Sequence, residues 1–419
     1  MPKNLATRTS GAWLLGPALV AGVAYLDPGN VASNMTAGAK YGYLLVWVVV
    51  VANVMAWLIQ YLSAKLGVVT GRSLPEILGH RMQRPWARRA YWLQAELVAM
   101  ATDIAEVIGG AVALQLLFDV PLLLGGIITG AVSMVLLAVQ ARRGPRHFEF
   151  VIIGLMAVIT IGFMAGLFLG PPSATGILSG LVPRFTDAGS VLLAASILGA
   201  TIMPHAIYAH SALARDRFGR PSTGSGTDDD SDAGPSVPRL LTATRWDVSI
   251  AMAIAGTVNL AILLLAAANL AGVAGTDSLE GAHSALAENL GPIIATLFAV
   301  GLLASGLAST SVGAYAGAEI MHGLLRVRLP LLARRLITLI PALLILGLGV
   351  DPTLALVLSQ VALSFGIPFA LIPLVALTAK RSILGEYANR RATTLLGVVC
   401  AVLLIALNAT LLVLLATGA

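Results

Sequence analysis

Cysteine is nearly absent. The 419 residues hold one, Cys400, inside the last apolar run, so no intrachain disulfide is possible. Charge is scarce too, with Asp, Glu, Lys and Arg making 11% of the chain against 58% hydrophobic residues. At a mean hydropathy of +0.89, a soluble protein of this length is excluded. There is no HExxH helix and no nucleophile elbow, so hydrolase chemistry has no foothold and the reading is not an enzyme. The apolar runs do not alternate with polar residues, which excludes a transmembrane β-barrel.

What the chain does contain is eleven continuous apolar runs. They lie near residues 12–38, 43–68, 91–117, 121–140, 149–170, 190–213, 247–272, 291–322, 332–349, 353–378 and 394–416. A spanning helix takes about 20 apolar residues, so the expected fold is one polytopic, all-α integral membrane domain. With the N-terminus in the cytoplasm, 24 of the 26 basic residues fall on the cytoplasmic side, and only Lys40 and Arg184 fall outside. Eleven crossings then put the C-terminus outside. The pI of about 9.7 follows from this topology, with no nucleic-acid partner needed and no obligatory protein partner evident. Lys3 and Arg8 before an apolar stretch imitate a signal peptide, with Ala21-Gly22-Val23-Ala24 as a cut, but the apolar pattern resumes directly after Asn30. One loop is long. Residues 215–246, rich in Gly, Ser, Pro and Asp, read as a flexible cytoplasmic linker, and Asp228-Asp229-Asp230-Ser231-Asp232 within it as a solvated run.

Two of the runs carry breaks. In the first, Asp27-Pro28-Gly29-Asn30 interrupts about fifteen apolar or small residues. A carboxylate in mid-bilayer costs roughly 2.5–3.5 kcal/mol on insertion scales, so its default reading is functional. Pro28 removes a donor and turns Asp27 out of helical angles, freeing carbonyls beside an acid and an amide. In the sixth run, Pro204 biases Met203 out of helix after the small residues Gly199, Ala200 and Thr201. Asp351-Pro352 is different: it lies between two runs and reads as a helix cap. Paired broken segments at the start of two five-helix halves point to an inverted repeat with a binding site at the midplane. The expected bounds are about 12–170 and 190–378, with an extra helix at about 394–416.

Facing each other, the breaks offer the Asp27 carboxylate, the Asn30 amide oxygen, the Met203 thioether and, as candidate backbone ligands, the Ala24 and Ala200 carbonyls. Hard ions favour oxygen shells, and one sulfur among oxygens points to Mn²⁺, Fe²⁺ or similar ions. In the third run Glu96, Asp103 and Glu106 share one helical face over about 15 Å. Such a stripe lines water or moves protons, with Arg334 and Arg335 as candidate partners. His205 is a ligand, proton group or gate element; Gln360 and Asn408 bond between helices, and Gln360 is a further candidate for the metal shell.

These residues together resemble the Nramp family of proton-coupled divalent metal transporters, particularly its bacterial manganese members. DPGN at 27–30, MPH at 203–205 and ATDIAEVIG at 101–109 carry the likeness, as do GVVTGRSLPE at 67–76, ASTSVGAYAG at 308–317 and LSQVALSFGIPFALIPL at 358–374. The resemblance implies a LeuT-like fold of five plus five inverted helices with an eleventh appended. It implies metal binding by Asp27, Asn30 and Met203, with the Ala24 and Ala200 carbonyls contributing and Gln360 joining in the occluded state. It implies proton handling by Asp27, His205, Asp103 and Glu106, extended by Glu96, Arg334 and Arg335. Ala206 stands where many relatives carry Asn or Val, and Ala318-Glu319 departs from the usual end of the eighth helix. The expected function is an alternating-access importer of Mn²⁺, also Fe²⁺, coupled to protons in a bacterial inner membrane, with the metal as substrate and no cofactor. Two rivals stand beside it: a cation-coupled amino-acid transporter of the same fold, and a membrane metal sensor that does not transport.

Overall fold

The structure is a computed structural model that describes residues 16–143, 145–218, 236–327 and 330–418. Lys3, Arg8, Arg220, Arg328 and the Asp228–Asp232 stretch of the linker lie outside the described residues.

Among the described residues every apolar run is helical. The first forms two pieces, α1 (Pro17–Ala24) and α2 (Pro28–Tyr41), followed by α3 (Val46–Thr70). A short helix, α4 (Leu74–Arg81), precedes α5 (Pro85–Phe118), α6 (Leu122–Arg143) and α7 (Pro145–Leu169). After α8 (Ala174–Gly180), the sixth run forms α9 (Ala188–Ile202) and α10 (Pro204–Phe218). The remainder is α11 (Val237–Asn269), α12 (Leu279–Leu290), α13 (Pro292–Leu325), α14 (Leu331–Gly347), α15 (Pro352–Thr378), α16 (Arg381–Leu384) and α17 (Arg391–Thr417). Among the described residues seven helices, counting α9 and α10 as one, are long and apolar enough to cross a membrane. The chain is a multi-pass membrane protein.

Local signals set the ends. Proline opens α1, α2, α5, α11, α13 and α15, where its missing N–H is no loss. Ser73 and Glu76 form a capping box on α4, Asp187 and Ser190 another on α9, and Asp351 caps α15 through Leu354 N at 2.6 Å. The last places Asp351-Pro352 at a helix start, as its position between runs predicts.

Helices α5 and α13 pack along much of their length at the centre of the molecule, with α6, α14 and α15 against α5 and α7 and α10 against α13. Their approach to the first break needs Gly109, because a Cβ there would stand 2.1 Å from Pro28 Cβ. Helix α17 is peripheral. It buries only Gly397, Cys400, Ala401, Leu404, Asn408 and Leu411, and the rest of its apolar surface faces outward as a lipid-facing helix does.

Candidate functional site

One device makes both breaks. Four residues after Ala24 comes Pro28, and four after Ala200 comes Pro204, so neither alanine carbonyl has its helical N–H partner. Asp27 sits between α1 and α2 in extended geometry (φ −72°, ψ 163°) and caps α2, accepting from Asn30 N at 2.8 Å. Met203, between α9 and α10, takes φ 37° and ψ 101°, left-handed space that costs a non-glycine residue about 1–3 kcal/mol. A bent, strained backbone at a fully buried methionine is retained only where its surroundings fix it.

Asn30 joins the two stretches. Its side-chain amide donates to Tyr25 O at 2.9 Å and to Ala200 O at 2.7 Å, 170 residues away. Both N–H groups of Asn30 are thus spent on the freed carbonyls, and its oxygen is its remaining acceptor, 3.5 Å from Asn34 Nδ2. Asp27, Asn30, Met203 and Gln360 are all fully buried. From α15, Gln360 donates to Asp27 Oδ2 at 3.3 Å, while its own Oε1 is buried without a hydrogen-bond donor among the described residues. Gly29 makes room for it, since a Cβ there would lie 1.8 Å from Gln360 Nε2. The two broken stretches meet through Asn30 and Ala200, and Gln360 of α15 bonds the Asp27 carboxylate beside them. In this arrangement the Ala200 carbonyl is engaged by Asn30.

The acid stripe is paired as the sequence suggested. Arg334 reaches Glu96 Oε1 at 2.9 Å and Asp103 Oδ2 at 3.2 Å; Arg335 reaches Asp103 Oδ1 at 2.9 Å and Glu106 Oε2 at 3.0 Å. Three carboxylates face two guanidinium groups, leaving the set one positive charge short. Glu96 Oε2 and Glu106 Oε1 have no hydrogen-bond partner among the described residues. Glu106 also lies near the first break, one turn from the Gly109 that receives Pro28. His205 stands between the two systems, with Nδ1 3.1 Å from Thr102 Oγ1, the neighbour of Asp103.

Sequence reasoning missed the supports. Asn259 donates to Tyr25 O at 3.0 Å and Ser305 to Leu26 O, satisfying carbonyls that the break releases. Ser133 and Thr310 accept from Arg335 at 3.0 and 3.2 Å. Asp247 holds the start of α1, accepting from Gly16 N at 3.1 Å and Ala18 N at 2.8 Å. Glu319 pairs with Arg215 at 3.1 Å, and Arg215 also reaches Glu76 at 2.9 Å. The available signal was a lone polar residue in each apolar run, which tells that a bond forms but not with what.

Among the described residues no three His, Cys, Asp or Glu side chains gather as a resident metal centre. One carboxylate, amide oxygens, a thioether and backbone carbonyls suit an ion that is bound and then released. Two broken helices enclosing a buried polar site, in a shell of spanning helices, define a membrane transporter. The family model described as natural resistance-associated macrophage protein-like (Nramp) matches residues 18–414, and the chain belongs to that family, whose members are transporters and not enzymes. It is 61% identical over 415 residues to the divalent metal cation transporter MntH of Mycobacterium tuberculosis, covering 98% of this chain and 94% of that one. With MntH of Deinococcus radiodurans the identity is 46% over 402 residues, covering 95% and 89%. A crystal structure of the Eremococcus coleocola manganese transporter superposes with a TM-score of 0.82 at 31% identity, over 97% of this chain and 87% of that one. MhsT, solved with L-phenylalanine, shares the fold at a TM-score of 0.63 and 14% identity over 96% and 98%. The fold is LeuT-like, with five plus five inverted helices and an eleventh.

Proposed function

We propose that this protein imports Mn²⁺, and also Fe²⁺, by alternating access coupled to inward proton movement. The observation that carries this reading is Asn30, whose amide bonds both broken stretches and so holds Asp27 and Met203 around one buried polar space. The metal ion is the substrate and no cofactor takes part. Asp27, Asn30 and Met203 replace much of its water shell, with the Ala24 carbonyl in support. Gln360 closes the shell in the occluded state, where its bare Oε1 faces the ion. The Ala200 carbonyl joins once Asn30 releases it, as the site turns inward.

An arriving dication favours the ionised form of Asp27. Its proton leaves by way of His205, Asp103 and Glu106, and Glu96, Arg334 and Arg335 extend the polar route. A route one positive charge short has room for that proton. The two repeats span about 12–170 and 190–378, and the protein sits in a bacterial inner membrane with its N-terminus in the cytoplasm and its C-terminus outside. Partners beyond metal, protons and lipid are not required.

The rival reading of an amino-acid transporter finds support only in the fold shared with MhsT. Asp27 repels a substrate carboxylate where that reading needs bare amides. Uptake of labelled Mn²⁺ into proteoliposomes tests the proposal: Asp27→Ala abolishes it, and undiminished uptake by that variant overturns the site.

A further inference from the structure

One layer outward of the site, the three elements that hold it are joined a second time. Ser33 on α2 stands three residues past Asn30, Ser196 on α9 four before Ala200, and Val357 on α15 three before Gln360. Each is therefore one helical turn from a site residue. The Ser33 and Ser196 hydroxyls are 2.6 Å apart, and Ser196 donates to Val357 O at 3.1 Å. Ser33 has a further acceptor in Gly29 O at 2.7 Å. Both serines are fully buried. Another turn outward, Thr36, Leu192, Leu193, Thr353, Leu354 and Val357 line a cavity of about 430 Å³. Val357 lines that cavity, and the two buried serines lie one turn beneath it, between the cavity and the site.

We propose that the chain Ser33–Ser196–Val357 is the outer gate of the metal site, and that it opens by parting Ser196 from Val357. The inference rests on the transport reading of the site. Helices α2 and α9 are tied at their outer ends, where Tyr41 donates to Asp187 Oδ1 at 2.7 Å, and again at the two serines. They move together, and α15 is the element they part from. The same parting withdraws Gln360 from Asp27, so gate and shell open as one event.

Hydroxyl bookkeeping makes this parting easy. Two hydroxyl protons serve three acceptors: Gly29 O, the neighbouring hydroxyl and Val357 O. When α15 leaves, Ser196 turns its proton to Ser33, and Ser33 keeps its own on Gly29 O. No serine is left without a partner, and water from the cavity reaches the Val357 carbonyl. The serine layer exchanges the Ser196–Val357 bond for one to Ser33, so it holds the gate closed by no more than one neutral hydrogen bond, about fivefold, beside the Gln360–Asp27 bond that parts with it.

The test is accessibility in intact cells. With Cys400→Ala as background, Ser33→Cys is treated from outside with a membrane-impermeant methanethiosulfonate. Ser196→Ala speeds its modification about fivefold, and Ser196→Thr, which keeps the hydroxyl, restores the slow rate. Equal rates with and without the hydroxyl at 196 overturn the gate. Saturating Mn²⁺ slows modification of the Ser33→Cys protein. A hydroxyl effect without this protection overturns the metal reading and leaves the gate standing. If Ser196→Ala is not delivered to the surface, Ser196→Cys with and without Ser33→Ala reads the same chain from its other end, and equal rates there overturn it.

Discussion

Met203 combines the most informative side chain of the site with its most strained backbone. In the metal site proposed above, its sulfur is the one soft donor among oxygens and decides which ions are worth dehydrating. Met203→Ala therefore lets Ca²⁺ and Mg²⁺ compete with Mn²⁺ uptake where they barely compete in the wild-type protein; unchanged competition removes the sulfur from the selectivity argument. Gly29 matters for the opposite reason, having nothing to offer but space. Gly29→Ala favours the helix but drives its Cβ into Gln360, whose amide then loses Asp27. A hydrogen bond to a charged group is worth about 1.5–3 kcal/mol, so metal binding measured by calorimetry weakens between about tenfold and a hundredfold. The breaks at Asp27-Pro28 and Met203-Pro204 were legible because acids and prolines are rare inside apolar runs. That Asn30 spends one N–H on Tyr25 and the other on Ala200, 170 residues away, was not, because a hydrogen bond's partner is a fact of packing and leaves no mark on spacing.

At the scale of elements, the long helices were legible and the short ones were not. Helices α4, α8, α12 and α16 have 4–12 residues and no apolar run of their own. Their only trace is local capping chemistry, such as Ser73 three residues before Glu76. Helix α4 nonetheless holds a junction, because Glu76 caps it and pairs with Arg215, which also grips Glu319 on α13. The departure at Glu319 thus acquires a role in joining α10 to α13. Burial pushes the Glu76 carboxyl up, but Ser73 and Arg215 outweigh burial and hold it below the ordinary glutamate value. A lowered value means that the native state favours the ionised form. The stabilisation is complete above the unfolded value of about 4.3 and disappears as pH falls through the lower native one. In detergent at pH 7, Glu76→Gln lowers Tm by about 1–3 °C, since the pair is partly solvated. That gap narrows as pH falls below about 4; a gap that persists there assigns the loss to the cap alone.

For the molecule as a whole, hydropathy displayed the long helices, and two prolines displayed the breaks. What they did not display is how tightly the two breaks are joined to the acid stripe of α5. The first break packs Pro28 against Gly109 on α5, one turn from Glu106, while His205 follows the second break by two residues and meets Thr102 beside Asp103. On the proposed function, metal arrival at Asp27 and charge on the α5 stripe are felt through the same few contacts. The stripe has three carboxylates for two arginines, and Glu106→Gln removes the surplus negative charge while keeping a side chain of similar shape. With Arg334 and Arg335 then balanced by Glu96 and Asp103, the route has no vacancy for a proton. Mn²⁺ uptake by this variant in proteoliposomes continues, because Asp27, Asn30 and Met203 are intact, but internal acidification per Mn²⁺ falls severalfold. Recording internal pH and labelled metal in the same vesicles separates the two quantities. Unchanged proton movement per ion rules Glu106 out of the route and leaves the arginine cluster as a structural brace between α5 and α14.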